Sequence, residues 1–193
     1  MAIEVLYVCT GNTHRSPMAE RLSAARCLAP AELIRFRSAG IGAHEQLSMD
    51  AAASMAARQL GADTSGHLSR LLTGPMLEDA TLVLTATGEQ RDFAIRKRPG
   101  TSAKTFTLKE FVRLGADTAP AAGPDDVGRL IADVAQRRGL HQPGGPHRDD
   151  IGDPHGAGPS ETLRCAVEVA LAVDGVLTML GVRRPGSDSS AGD

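Results

Sequence analysis

The chain has 193 residues, 41% hydrophobic and 23% charged, with a formal net charge of −2, which is the composition of one folded domain and argues against a nucleic-acid or membrane-surface protein. Three cysteines, Cys9, Cys27 and Cys165, cannot all pair within the chain, and none lies in a Cys-x-x-Cys or zinc-type spacing, so no metal or cofactor is expected. The N-terminal MAIEVLYVCTGN lacks the basic and apolar parts of a signal peptide, no run approaches about 18 apolar residues, and a reducing cytoplasm is the expected compartment.

Ile3 to Val8 is a short apolar run with β-branched members and reads as a buried strand. Polar and glycine residues follow (Thr10, Gly11, Asn12, Thr13), and a helix is expected from Ser16 and Pro17 to about Cys27, with Pro17 at the first helical position. Leu33 to Arg37 reads as a second strand ending at Ser38-Ala39-Gly40, and Met49 to Leu60 as an Ala-rich helix closed by Gly61. Thr81 to Thr85 reads as a third strand, Thr87 to Lys97 as a helix and Lys104 to Thr107 as a fourth strand. Strands separated by helices imply an α/β fold with a parallel sheet and helices on both faces.

Residues 115–147 change character. They are rich in Ala, Pro and Gly at both ends, with one amphipathic helix expected over Asp126 to Arg138. The segment is too short for its own core and reads as an insertion within a single domain spanning 1–184. Pro159 to Gly181 is the last helix, with an apolar face expected from Leu163, Val167, Ala170, Leu171, Val173, Leu177 and Leu180. Residues 185–193 are expected to be a disordered tail.

The most informative stretch is VLYVCTGNTHRSPMAE. A strand runs into a loop at Cys9 and a helix starts beyond Arg15, which puts the loop at the carboxyl end of a parallel strand, where α/β ligand sites lie. Free N–H groups and the dipole of a helix N-terminus suit a phosphate dianion, and the same field stabilises a thiolate. Arg15, six positions after Cys9, can fold its planar fork over two phosphoryl oxygens, which Lys would not do equally well. Gly11 permits close backbone approach, and Ser16 can donate a proton to the Cys9 sulfur. Cys27 and Cys165 lie on apolar helical faces and read as small core residues.

These residues, Cys9-Thr10-Gly11-Asn12-Thr13-His14-Arg15-Ser16-Pro17, resemble the phosphate loop of the low-molecular-weight protein tyrosine phosphatases. Ser38-Ala39-Gly40, Gly66 to Arg70 and Phe106 to Phe111 are similar to further stretches of that family. The resemblance implies a four-stranded parallel sheet of order 2-1-3-4 and a cysteine-dependent protein phosphatase, with phosphorylated protein as its substrate. It assigns Cys9 as nucleophile, Arg15 as clamp and the Asp of Asp153-Pro154 as general acid, with Asp150 as the fallback. Thr10, Gly11, Asn12, Thr13, His14, Ser16 and His155 would contact phosphate or substrate, and His67 would support Asn12 from behind the loop.

Three places depart from the pattern common in the family. His14 stands where many members carry a second cysteine, and His155 and Gly156 stand where eukaryotic members carry aromatic residues. Thr13 is the feature most similar to the family's bacterial arginine phosphatases. Phosphotyrosine is the first expectation and phosphoarginine the alternative. A third reading, an arsenate reductase with the same loop, lacks a paired redox cysteine here. Nothing in the sequence sets the oligomeric state.

Overall fold

Residues 2–139 and 147–182 are described in this computed structural model. The tail expected over 185–193 lies outside them, as do residues 140–146 of the expected insertion.

Four strands form one parallel sheet, β1 (Ile3–Cys9), β2 (Ile34–Gly40), β3 (Leu82–Thr85) and β4 (Thr105–Thr107), in the order β2-β1-β3-β4. The order is the expected one. β1 is central, pairing along its whole length with β2 from Ile3 opposite Ile34 to Cys9 opposite Gly40, and with β3 from Val5 opposite Leu82. Its side chains alternate between two cores, as strand geometry requires. Ile3, Val5, Tyr7 and Cys9 enter the larger cluster, while Leu6 and Val8 enter the smaller one on the opposite face.

The larger face is covered by α1 (Arg15–Arg26), α2 (Ala51–Gln59), α5 (Leu108–Gly115), α6 (Val127–Gln136) and α7 (Pro159–Met179). The opposite face carries α3 (Gly74–Asp79) and α4 (Gly88–Lys97), through Leu77 and Ala94. α6, the helix expected within 115–147, sends Val127, Leu130, Ile131 and Val134 into the larger core.

Three differences from the sequence reading have physical causes. β2 runs to Gly40 rather than Arg37, because Ser38, Ala39 and Gly40 continue the ladder opposite Tyr7, Val8 and Cys9. α3 and α5 were not expected. α5 carries a legible start signal, a capping box in which the Thr107 hydroxyl accepts from the Glu110 N–H and the Glu110 carboxylate accepts from the Thr107 N–H. On α7 the buried face includes Cys165, Val169, Val173 and Val176, whereas Leu163, Val167 and Leu171 are exposed. That helix is apolar nearly all round, so periodicity alone did not select the face that α1, α2 and α5 cover.

Candidate active site

β1 ends at Cys9 and α1 begins at Arg15, so residues 10–14 turn in a tight loop at the carboxyl edge of the central strand. The turn passes through Asn12, which has φ of 54° in the left-handed region, where Asn is among the better-tolerated non-glycine residues. Cys9 is 2% exposed and lies in the lining of a cavity of about 300 Å³, together with Thr10, Gly11, Thr13, His14, Arg15, His44, Leu47, Asp153 and His155.

Hydrogen bonding around the sulfur has a defined direction. The Asn12 amide nitrogen donates to Ser16 Oγ (3.0 Å) and Ser38 Oγ (2.8 Å), while Asn12 Oδ1 accepts from the Arg70 N–H (2.9 Å). The Ser38 hydroxyl in turn donates to the buried Glu20 carboxylate at 2.5 Å. Ser16 therefore has its hydroxyl proton to give, and Cys9 Sγ at 2.9 Å is nearer than the Ala39 carbonyl at 3.3 Å. The Asn12 backbone N–H adds a second donor to Sγ at 3.3 Å. Two hydrogen-bond donors thus converge on one sulfur at the floor of the cavity.

The loop is shaped from behind by β2. A Cβ on Gly40 would meet the Thr10 carbonyl oxygen at 2.4 Å and the Asn12 nitrogen at 2.9 Å, both backbone atoms that cannot swing aside. Gly40→Ala is accordingly expected to cost about 1–3 kcal/mol of stability. Displacing the loop should also lower kcat/KM on p-nitrophenyl phosphate by at least about tenfold. Thermal melting and initial rates check both, and unchanged rates would show that the loop tolerates the shift.

His67 supports the loop from the other side. Its Nε2 lies 2.9 Å from the Asn12 carbonyl oxygen, which can only accept, so Nε2 carries the proton. Nδ1 is buried without a partner among the described residues, and burial pulls the imidazole below its ordinary value of 6.5. A second proton there would be an uncompensated buried charge. The sign for stability follows from this depression. At pH 8 the group is neutral in both states and contributes nothing; below about 6.5 the unfolded chain takes up a proton that the folded chain refuses, so stability falls. His14, depressed by burial as well, acts in the same direction. The melting temperature should drop from pH 8 to pH 5.5, with a shallower slope in His67→Gln, whose amide still donates to Asn12. An unaltered slope in that variant would remove His67 from the account.

Arg15 is 4% exposed and spans the cavity. Its Nη1 donates to the Ile151 carbonyl at 3.1 Å, its Nη2 pairs with the Asp153 carboxylate, and its buried Nε has no partner among the described residues. A buried guanidinium donor without a partner calls for an acceptor, and Arg15 is also among the residues that line the cavity. Asp153 is half-exposed, and its other oxygen accepts from the His155 N–H at 3.2 Å, the local turn that an Asp-Pro pair makes. Asp150 is committed elsewhere. Its Oδ1 accepts from the Gly88 N–H at the start of α4 (2.7 Å), and its Oδ2 faces His147 Nδ1 (2.7 Å). The segment around it is anchored by Arg113 on Asp149, by Lys109 on the Asp150 carbonyl and by the Ile151 N–H on the Ala86 carbonyl. Of the two candidate acids, geometry places Asp153 at the cavity.

The remaining sequence candidates also gather here. Thr10 Oγ1 accepts from Gln90 Nε2 at 3.1 Å, Thr13 Oγ1 lies 3.0 Å from His14 Nδ1, and the His14 and His155 rings meet edge to face at 5.5 Å. Sequence reasoning missed Gln90, His44, Leu47, Asp50, Ser38 and Glu20 as contributors. Asp50 had a local signal, since its side chain caps α2 through Ala52 and Ala53. His44 and Leu47 had none, because only the loop after β2 brings them to the rim. Cys165 is 8% exposed, with its thiol pushed up to about 12 by burial, and Cys27 is half-buried against the same core, as expected of packing residues. No described group of His, Cys, Asp and Glu is arranged to hold a metal, and no described helix is long and apolar enough to cross a membrane.

A parallel α/β sheet with a cysteine at the end of its central strand, an anion-shaped loop and an arginine at the following helix defines the cysteine-phosphatase class of site. A sequence model described as "Low molecular weight phosphotyrosine protein phosphatase" matches residues 4–124, and the chain belongs to that family. The match ends before Asp153. Among curated relatives, the chain is 37% identical over 136 residues to a protein-arginine-phosphatase of Geobacillus stearothermophilus, covering 69% of this chain and 88% of that one. It is 34% identical over 113 residues to the probable low molecular weight protein-tyrosine-phosphatase EpsP of Ralstonia solanacearum, covering 58% and 75%. The solved structure of the YwlE arginine phosphatase from Geobacillus stearothermophilus superposes with a TM-score of 0.68 at 28% identity, over 93% of each chain.

Proposed function

We propose that this member of the family hydrolyses phosphorylated protein side chains through a Cys9 phosphoenzyme. The observation that carries the reading is the convergence of Cys9, Arg15 and Asp153 on one cavity, with two donors already on the sulfur. Cys9 Sγ attacks phosphorus while Arg15 holds two of the equatorial oxygens, its unpartnered Nε among the available donors. As the S–P bond forms, the bond to the leaving atom breaks, and that atom takes the proton of Asp153. Water then attacks the phosphocysteine, Asp153 accepts its proton, and the thiolate departs to the Ser16 and Asn12 donors. A nucleophile that must remain reduced suits the cytoplasm.

Phosphotyrosine is the first reading of the substrate, in line with the family's description, with Leu47 available as an apolar wall. A specific observation favours phosphoarginine as the second. Among the described residues no Phe, Tyr or Trp lines the cavity, whereas the Thr13 hydroxyl and the Asp153 carboxylate can accept from a guanidinium. The test is steady-state turnover of p-nitrophenyl phosphate and of matched phosphotyrosine and phosphoarginine peptides, with rapid-quench mass spectrometry of the Cys9 peptide. Turnover with a phosphorylated Cys9 supports the reading. Absence of turnover, or arsenate-dependent thiol consumption in its place, overturns it.

A further inference from the structure

His14, the last residue of the loop, faces the start of α2, where it touches both the cavity and a carboxylate. Its Nδ1 lies 3.0 Å from Thr13 Oγ1, and its Nε2 lies 3.6 Å from Asp50 Oδ1. At 3.6 Å the second contact is electrostatic rather than a hydrogen bond. It nevertheless selects the tautomer, because a carboxylate favours a proton on the ring nitrogen that faces it and repels a lone pair there. Nε2 therefore carries the hydrogen and Nδ1 the lone pair. In the bond between them, Thr13 must be the donor and His14 the acceptor. With its only proton given to His14, Thr13 Oγ1 has lone pairs alone to offer the cavity that it lines.

We propose that His14 is a positioning residue for leaving-group selectivity, holding Thr13 as a hydrogen-bond acceptor toward whatever carries the phosphate. A guanidinium presents N–H donors that such an acceptor satisfies, whereas a phenyl ring gains nothing from it. The inference rests on the phosphatase reading of the Cys9 cavity. His14 is buried, and desolvation keeps it in the neutral form on which the direction of the bond depends. The groups facing it are Asp50 at the cap of α2, Asp153 and His155 from the segment before α7, and Arg15 from α1. The two carboxylates and the two basic groups oppose one another, and burial is the larger influence.

The readout is the ratio of kcat/KM on phosphoarginine to that on phosphotyrosine in matched peptides, with p-nitrophenyl phosphate as reference. Thr13→Val should lower the ratio about fivefold, the value of one ordinary hydrogen bond. His14→Leu should lower it by a similar factor, and the double variant should fall no further than Thr13→Val alone. His14→Asn, whose Oδ1 stands near the position of Nδ1, should restore most of the ratio. Should His14→Leu fail to fold, Asp50→Ser serves instead, since Ser still caps α2 but no longer selects the tautomer, and the ratio should again fall. A lowered ratio in Thr13→Val with none in the His14 and Asp50 variants overturns the positioning role. So do multiplicative losses in the double variant, an unchanged ratio in Thr13→Val, or a parent enzyme that turns over phosphotyrosine but no phosphoarginine. Failure to turn over any of the three substrates overturns the phosphatase reading itself, which keeps the two failures distinct.

Discussion

Cys9→Ser is expected to lower turnover of p-nitrophenyl phosphate by at least about 10⁴-fold, the scale of losing a covalent nucleophile. A serine hydroxyl is scarcely ionised at neutral pH, and the donors gathered at the sulfur, Ser16 at 2.9 Å and Asn12 at 3.3 Å, cannot make it so. The cradle should survive. Arg15 remains tied to Ile151 and Asp153, and Asn12 remains tied to Ser16, Ser38 and Arg70, none of which depends on the sulfur. Inorganic phosphate or vanadate should therefore still bind, read by protection against thermal unfolding. Residual turnover within a factor of about ten of the parent would sink the covalent mechanism.

Asp153→Asn is expected to slow substrates with poor leaving groups by about 10²–10⁴-fold, the usual contribution of a general acid. The effect on p-nitrophenyl phosphate should be much smaller, because its leaving oxygen scarcely needs a proton. Loss of the Arg15 partner will weaken both substrates alike and so cancels in the comparison. Asp150→Asn supplies the contrast. Asp150 binds the Gly88 N–H and faces His147, so this change should lower the melting temperature without leaving-group selectivity. Were Asp150→Asn the selective variant, the acid would have to be reassigned to it, against the geometry of the cavity.

Much of this site is legible in the sequence. The Cys9 to Pro17 stretch is contiguous, so the strand end, the anion-shaped turn and the helix start all follow from local rules. Asp153 was legible only through its family likeness, since an Asp-Pro pair is by itself a turn. What placed it at the cavity was Arg15, 138 residues distant in sequence, together with the anchoring of residues 149–151 by Arg113, Lys109 and Ala86. Gly40 shows the same limit. The sequence marks a glycine after a strand, but only the parallel register opposite Cys9 reveals that a methyl group there would strike the loop.

The sequence by itself determined the alternation of strands and helices, the apolar runs that bury β1 and β3, and the chemistry of the phosphate loop, because each depends on residues within about one element of one another. The tertiary structure alone decided which face of α7 is buried, which aspartate meets Arg15, and which residues form the rim. It also set the Thr13–His14 pair beside a carboxylate that caps another helix. Hydrogen bonds and ion pairs between segments far apart in the chain leave no periodicity to read, so the sequence could supply the nucleophile while the fold supplied its company.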